Sequence, residues 1–293
     1  MQNFGASITI NLAFSRLRPG LGPGWAMLAG VLAGTPPELT AAVLLQVVGL
    51  WILVGPVLGT LWHFAVEQRL WPRLAGAQLP PPPRRGFWLP YAQPNAPAGR
   101  WALWLRSYGL WLRQSFWPAS GDQLSTVLLG GLLALVLGWA LHPSVFWLTL
   151  LALALLALAA LRPAPLSAPG GGRLQSLVQF LLPFGTGLAM FPSPSPLPLV
   201  LGFCYWVVYL GALRMLGRHA RAHWLLLGGQ VAALLLLLTL NRPIGGAVVA
   251  AMLLGQLLAK TASLQPDAFV GRVRLFLLAS LLAASLSLGV VLW

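Results

Sequence analysis

The stretch Leu124–Leu161, LSTVLLGGLLALVLGWAL-HPS-VFWLTLLALALLALAAL, decides the class of the fold. Its two apolar runs, 124–141 and 145–161, contain no charged residue and are divided by His142-Pro143-Ser144. Each run approaches the ~20 residues with which an α-helix crosses ~30 Å of hydrocarbon. The proline between them punctuates a tight turn. Working outward, the same pattern predicts spans at about 20–34, 39–64, 175–191, 197–215, 223–240, 244–262 and 272–292. The intervening turns are Thr35-Pro36-Pro37-Glu38, the run from Phe191 to Pro196, and Asn241-Arg242-Pro243. The sequence therefore reads as an all-α integral membrane protein of about nine transmembrane helices, the first of them short and rich in glycine.

Composition agrees. Apolar residues make up 58% of the 293 and charged residues 8%, with a mean hydropathy of +0.81. Soluble domains are about one-quarter charged. Nine spans use about 180 residues, so residues 1–293 are expected to form a single polytopic membrane domain. A formal charge of +14 would suggest nucleic acid in a soluble protein. Here the basic residues are scattered between apolar spans, which encodes topology instead and excludes a nucleic-acid partner. Cys204 is the one cysteine, so neither an internal disulfide framework nor a Cys-rich metal site is expected. Met1–Phe14 lacks a basic region leading into a cleavable apolar segment, and the first span is expected to direct insertion.

Charge sidedness fixes the expected orientation. Arg16, Arg18, Arg69, Arg73, Arg84, Arg85, Arg100, Arg106, Arg113, Arg162, Arg173, Arg214, Arg218, Arg221, Lys260, Arg272 and Arg274 all fall on one side of a nine-span arrangement. Arg242 alone of the 18 basic residues falls on the other. By the positive-inside rule the N-terminus is cytoplasmic and the C-terminus lies opposite. The membrane is expected to be the cytoplasmic one.

The one long loop, 65–123, is cytoplasmic on this reading. It holds Pro80-Pro81-Pro82-Pro83-Arg84-Arg85, a stiff polyproline spacer or docking strip. It ends in a segment bearing Trp101, Trp104, Arg106, Trp111, Arg113 and Trp117. Residues 100–116 predict an amphipathic helix in the headgroup layer, an anchor on the lipid bilayer or a surface for other membrane subunits.

A plan of nine spans with a large cytoplasmic loop after the second resembles that of the UbiA-type membrane prenyltransferases, which carry large cytoplasmic loops after the second and sixth. Three local stretches resemble the chlorophyll and bacteriochlorophyll synthase branch. Arg18-Pro19, Gly24-Trp25-Ala26 and Gly30 are similar to that branch's opening. Gly55-Pro56-Val57-Leu58-Gly59-Thr60 resembles the stretch leading into the first catalytic motif. Trp117-Pro118-Ala119-Ser120-Gly121-Asp122-Gln123-Leu124-Ser125 looks like the opening of the third helix. The resemblance implies a UbiA-like helical bundle and, for an active member, two Asp-rich motifs that hold Mg²⁺ on a prenyl diphosphate.

Both Asp-rich motifs are missing. The first position reads from Leu61 through His63 and Glu67 to Arg69, and the second carries Arg214, Arg218, His219, Arg221 and His223. Glu38, Glu67, Asp122 and Asp267 are the 4 acids in the chain. A hard dication needs oxygen ligands, which argues against Mg²⁺; arginines bind phosphate but do not bridge and orient two of its oxygens. No catalytic residue carries over. His63 with Glu67, and His219 with His223, are spaced four apart and read either as polar residues at helix ends, as pigment ligands or as a metal site. His142 reads as a turn residue. Most of the 14 tryptophans, among them Trp25, Trp62, Trp71, Trp139, Trp147, Trp224 and Trp293, fall near span ends as an aromatic belt. Gly20 with Gly24 and Gly30 with Gly34 are small-xxx-small pairs that permit close helix approach. No nucleophile–His–carboxylate set can be assembled, and no ionisable residue sits mid-span as it would in a pump.

The sequence thus points to a catalytically degenerate, bacteriochlorophyll-synthase-like membrane protein. It would be a structural or ligand-holding subunit of a larger, photosynthetic complex. Compatible ligands are bacteriochlorophyll, a carotenoid, a quinone or a bound lipid. The other reading is an active prenyltransferase whose altered site uses Glu67, Asp122 and the arginines.

Overall fold

The computed structural model describes residues 22–34, 40–63, 97–111, 113–114, 117–161, 171–191, 195–216, 219, 222–261 and 266–289. Among them secondary structure is helical, without a strand. In chain order the helices are α1 (Pro23–Ala33), α2 (Ala41–Trp62), α3 (Pro97–Trp111), α4 (Trp117–Leu141) and α5 (Pro143–Leu161). Then follow α6 (171–190), α7 (Leu197–Leu216), α8 (Ala222–Thr239), α9 (Pro243–Thr261) and α10 (Pro266–Gly289).

Among the described residues six segments are long and apolar enough to cross a membrane: Ala41–Trp62, Leu124–Leu141, Pro143–Ala160, Leu197–Leu216, Ala222–Thr239 and Phe269–Gly289. The other three expected spans are helical but differ in kind. α1 has only 11 residues, about 16 Å at 1.5 Å per residue. The apolar part of α9, Pro243–Ala259, is also short. α6 is Gly171–Ser176, a π-helical turn Leu177–Leu181 and Leu182–Met190. A second π-helical turn, Leu53–Val57, interrupts α2. Prolines account for both. Pro56 and Pro183 lack the N–H of an α-helical ladder and crowd the carbonyl one turn back, and a π turn accommodates the misfit.

Several boundaries follow from local chemistry. Proline opens α1, α3, α5, α9 and α10, where its missing N–H is not needed. Thr40 caps α2 by accepting the Val43 N–H. His142 precedes α5 and takes the Ser144 N–H on Nδ1 at 3.2 Å, the turn role its sequence position suggested. Asn241 closes α8 in the left-handed region (φ 57°). There the Arg242 N–H reaches back to the Leu237 carbonyl at 2.9 Å, a Schellman-type cap.

α1 sits between α6, α10 and α2, and most of its residues are buried. Its contact with α6 is made by reciprocal glycines. A Cβ on Gly30 would lie 2.1 Å from the Phe184 carbonyl oxygen, and one on Gly187 would lie 2.1 Å from the Met27 carbonyl oxygen. Gly34 meets Phe191 in the same way. The Gly30–Gly34 pair is therefore a backbone-to-backbone contact, as in other small-xxx-small interfaces, whereas Gly24 meets the Trp51 ring and Gly20 lies outside the described residues. On either side lie two packing groups. α2 and α4 enclose Leu50, Leu53, Val54 and Ala134 with Met27 and Val31 of α1. α7, α8, α9 and α10 pack around Tyr205, Leu226, Val249 and Leu277.

Trp139, Trp147 and Trp224 are 66–70% exposed, as belt residues are. Trp62 is not: it is 1% exposed and packs with Leu61, Leu156 and Ala159. Trp25 meets Trp51 edge-to-face at 5.8 Å; Trp71 and Trp293 lie outside the described residues.

Gly30→Ala and Gly187→Ala are each expected to cost about 1–3 kcal/mol, because a methyl group there meets backbone that cannot rotate away. Gly131→Ala in α4, where nothing lies within 4 Å, should instead be neutral or gain up to ~1 kcal/mol. Denaturation of the purified chain in mixed micelles measures all three.

Candidate functional site

Four of the sequence-predicted ligand residues, His63, Arg214, His219 and His223, lie among the described residues. His63 is half-buried at the end of α2. Arg214 is half-buried in the last turn of α7. His219 is exposed ahead of α8; its N–H donates to the Arg214 carbonyl at 3.0 Å and its carbonyl accepts the Ala222 N–H at 3.1 Å. His223 is already inside α8 and its ring lies 4.9 Å from that of Trp224. The two histidines thus straddle a helix start. Glu67, Arg218 and Arg221 lie outside the described residues. Among the described residues no group of three or more His, Cys, Asp or Glu side chains stands close enough to hold a metal.

The predicted amphipathic segment is α3. Trp101 and Leu105 are 66% and 57% exposed, Tyr108 stacks on Trp111, and Arg106 and Arg113 are exposed. Trp111 itself is buried. Trp104 falls on the same helix.

A different set of residues is drawn together in the bundle core. Tyr205 on α7 hydrogen-bonds Ser280 on α10 across the bundle, both fully buried. One turn along α7, the Tyr209 hydroxyl donates to Gln179 Oε1 at 3.0 Å, and Gln175 Nε2 donates to the same oxygen at 3.2 Å. Trp206 Nε1 donates to Ser176 Oγ at 2.9 Å, and that hydroxyl donates to the Arg173 carbonyl at 2.8 Å. These bonds tie α6 to α7. The π turn carries Gln179 into them.

Two further carboxamides lie in the core without protein partners among the described residues. Gln230 on α8 is 0% exposed and Gln256 on α9 is 1% exposed, and neither Oε1 nor Nε2 of either is hydrogen-bonded. Gln179 Nε2 and Ser285 Oγ are likewise unbonded. Gln230 shares its helix face with Leu226, Ala233 and Leu237, and Gln256 shares its face with Val249, all core residues.

The helix register gives their heights. Gly211 lies against Leu226, and Gly229 against Val208 and Cys204, which brings Gln230 level with Tyr205. Gly245 lies against Leu237 and Ser287, Gly246 against Leu234 and Leu238, and Gly255 against Phe276. Ser280 therefore shares the height of Gln230, and Gln256 stands about four residues, or ~6 Å, nearer the end that carries Arg214 and Arg272. Tyr205, Gln230 and Ser280 form one polar layer; Gln256 and Tyr209 mark the next.

An amide group buried without a hydrogen bond costs about 1–3 kcal/mol. A leucine at 230 or 256 would carry no such cost. No charged side chain is among the described buried residues. The core thus offers neutral donors and acceptors, suited to binding an uncharged polar group.

The glutamines were missed because a scan for charge, metal ligands and nucleophiles passes over uncharged amides. A signal was present. Gln179, Gln230 and Gln256 each interrupt a long apolar run (LVQFLL, GGQVAALLLLL, LLGQLLA). Searches against protein-family models, curated proteins and solved structures find no match. The site is read from its own residues.

Tyr205→Phe is expected to cost about 0.6–1.7 kcal/mol, the range for a hydrogen bond between membrane helices. Adding Ser280→Ala should cost less than the sum of the two single changes. A full double-mutant cycle in mixed micelles reads both.

Proposed function

We propose that the chain is a nine-span membrane subunit, related to the bacteriochlorophyll-synthase branch of the UbiA-type prenyltransferases but without their chemistry. It holds a hydrophobic ligand within a larger, photosynthetic complex. The observation that carries this reading is the polar layer of Tyr205, Gln230 and Ser280, with Gln256 beside it, inside an apolar bundle.

Two facts support the loss of catalysis. No Asp or Glu lies between Asp122 and Asp267, so α5 to α9 contain no carboxylate. A metal-bound diphosphate needs such oxygens. Second, His63, Arg214 and His223 stand in the terminal turns of α2, α7 and α8, while the described buried polar groups are neutral.

In this reading α1, α6 and α9 complete the nine crossings, their short apolar lengths compensated by burial against neighbours. The basic end faces the cytoplasm. α3 lies along that face with its tryptophan and leucine toward lipid and its arginines toward anionic headgroups.

Purification from the native membrane in mild detergent tests the proposal. Expected are co-purifying membrane subunits together with an extractable pigment, quinone or isoprenoid. A chain that purifies alone, colourless and without bound ligand contradicts it. So does transfer of a prenyl group that stops when Mg²⁺ is chelated.

A further inference from the structure

We infer that the outer seam between α6 and α7, at the basic end of the bundle, binds one anionic phospholipid, whose phosphate is held by Arg173 and Arg214. The site lies on the lipid-facing surface, apart from the buried polar layer.

The seam brings the two arginines to one height. α6 and α7 run antiparallel: Phe184 fills the space beside Gly202, and the Tyr209 hydroxyl bonds Gln179. Counting toward the basic end from these two contacts sets Arg214 level with Gly172 and with Leu174, to either side of Arg173. The first turns of α6 do pack on α7, where the Trp206 indole reaches about one turn toward the basic end to bond Ser176. Packed helices stand about 8–10 Å apart, a gap that two arginine side chains close on a shared phosphate.

Both arginines also lie on the outer lip of the seam. Tyr209, Trp206 and Phe203 step round α7 by about 60° each. Along that path the side chains pass from fully buried through half-buried to 51% exposed. Phe203 rests edge-to-face on Trp206. Arg214 follows Phe203 by eleven residues, about three turns, and so stands above it on the same face. On α6, Arg173 lies about 60° round from Ser176, on the side away from Gln175 and Gln179, and is exposed.

Charge and length select the ligand. No Asp or Glu lies between Asp122 and Asp267, so α6, α7 and the segments joining them to their neighbours carry no carboxylate. Two guanidinium groups at one height therefore lack a counter-ion from their own part of the chain. A phosphate supplies it and matches the guanidinium fork. Basic recesses between helix ends are where anionic headgroups bind. Phe203 stands about 16 Å below Arg214 at 1.5 Å per residue, close to half of the ~30 Å hydrocarbon layer. One acyl chain thus spans the face from arginine to phenylalanine, a face that a free phosphate would leave uncovered.

The test uses the purified full chain, delipidated in neutral detergent and titrated with dioleoyl phosphatidylglycerol or dioleoyl phosphatidylcholine. Native mass spectrometry counts the bound lipid. Expected is one phosphatidylglycerol held about tenfold more tightly than phosphatidylcholine. Arg173→Gln and Arg214→Gln should each weaken it about fivefold, and the double variant should bind the two lipids alike. Arg274→Gln removes the same charge from an exposed position on α10 and should leave binding unchanged. If a glutamine variant melts too low to be measured, Arg173→Lys with Arg214→Lys decides instead. That pair keeps the charge, loses the fork and should still weaken binding about threefold. Equal affinity for the two lipids, parent-like binding by the double variant, or an equal loss in Arg274→Gln overturns the site. Displacement of the lipid by inorganic phosphate overturns the choice of a phospholipid. None of these outcomes bears on a ligand in the core.

Discussion

Reciprocal glycines bring α1 and α6 into backbone contact, and the arrangement of the other helices follows from that contact. Lipid tails are as apolar as leucine, so membrane helices gain little from burying apolar side chains against one another. Close packing must hold them instead. Gly30 and Gly187 each admit the other helix's carbonyl where any Cβ would collide. α1 is too short to cross the bilayer unaided. Held against α6, it reaches α10 through Gly289 and α2 through the Trp25–Trp51 contact. α7 then follows α6, since the Phe184 ring occupies the space left by Gly202. The register of α7 to α10, and with it the height of each buried glutamine, is set by further glycine contacts among those helices, Gly211 with Leu226, Gly229 with Val208 and Gly255 with Phe276.

The two packing groups around α1 differ in chemistry. The α2–α4 side is apolar through its core and presents Leu44, Leu45, Val48, Leu128, Leu129, Leu132 and Val136 outward, as a lipid-facing surface does. The α7–α10 side carries the buried Gln230, Gln256, Ser280 and Ser285, and α6 beside it carries Ser176, Gln179 and Thr186. α2 and α6 each contain a π turn at a proline, but only the one in α6 carries a hydrogen-bonding side chain, Gln179, into the core.

Much of the helical plan was legible in the sequence, because its signals are local. Long apolar runs mark the helices, and Pro143, Pro243 and Asn241 mark their ends. Each of the nine predicted stretches overlaps a helix, yet among the described residues length and composition qualify six as spans. Charge counting could not reveal that α6 is interrupted or that α1 survives by burial. The amphipathic reading of 100–116 corresponds to helix Pro97–Trp111. The site was less legible. Its residues lie on separate helices, and their common height depends on glycine contacts such as Gly229 with Val208, which no spacing rule encodes. Trp62 shows the same limit, since its place near a span end gave no sign that Leu156 and Ala159 would cover it.

The central claim is that the unbonded carboxamides of Gln230 and Gln256 are binding groups for a neutral ligand. The most direct measurement is an electron cryomicroscopy map of the chain purified from its native membrane, at a resolution that separates side chains. The account predicts planar, non-protein density between α8, α9 and the Tyr205–Ser280 pair, within hydrogen-bonding distance of both glutamines. Density for ordered water alone, or amides bonded to each other or to the backbone, would contradict it.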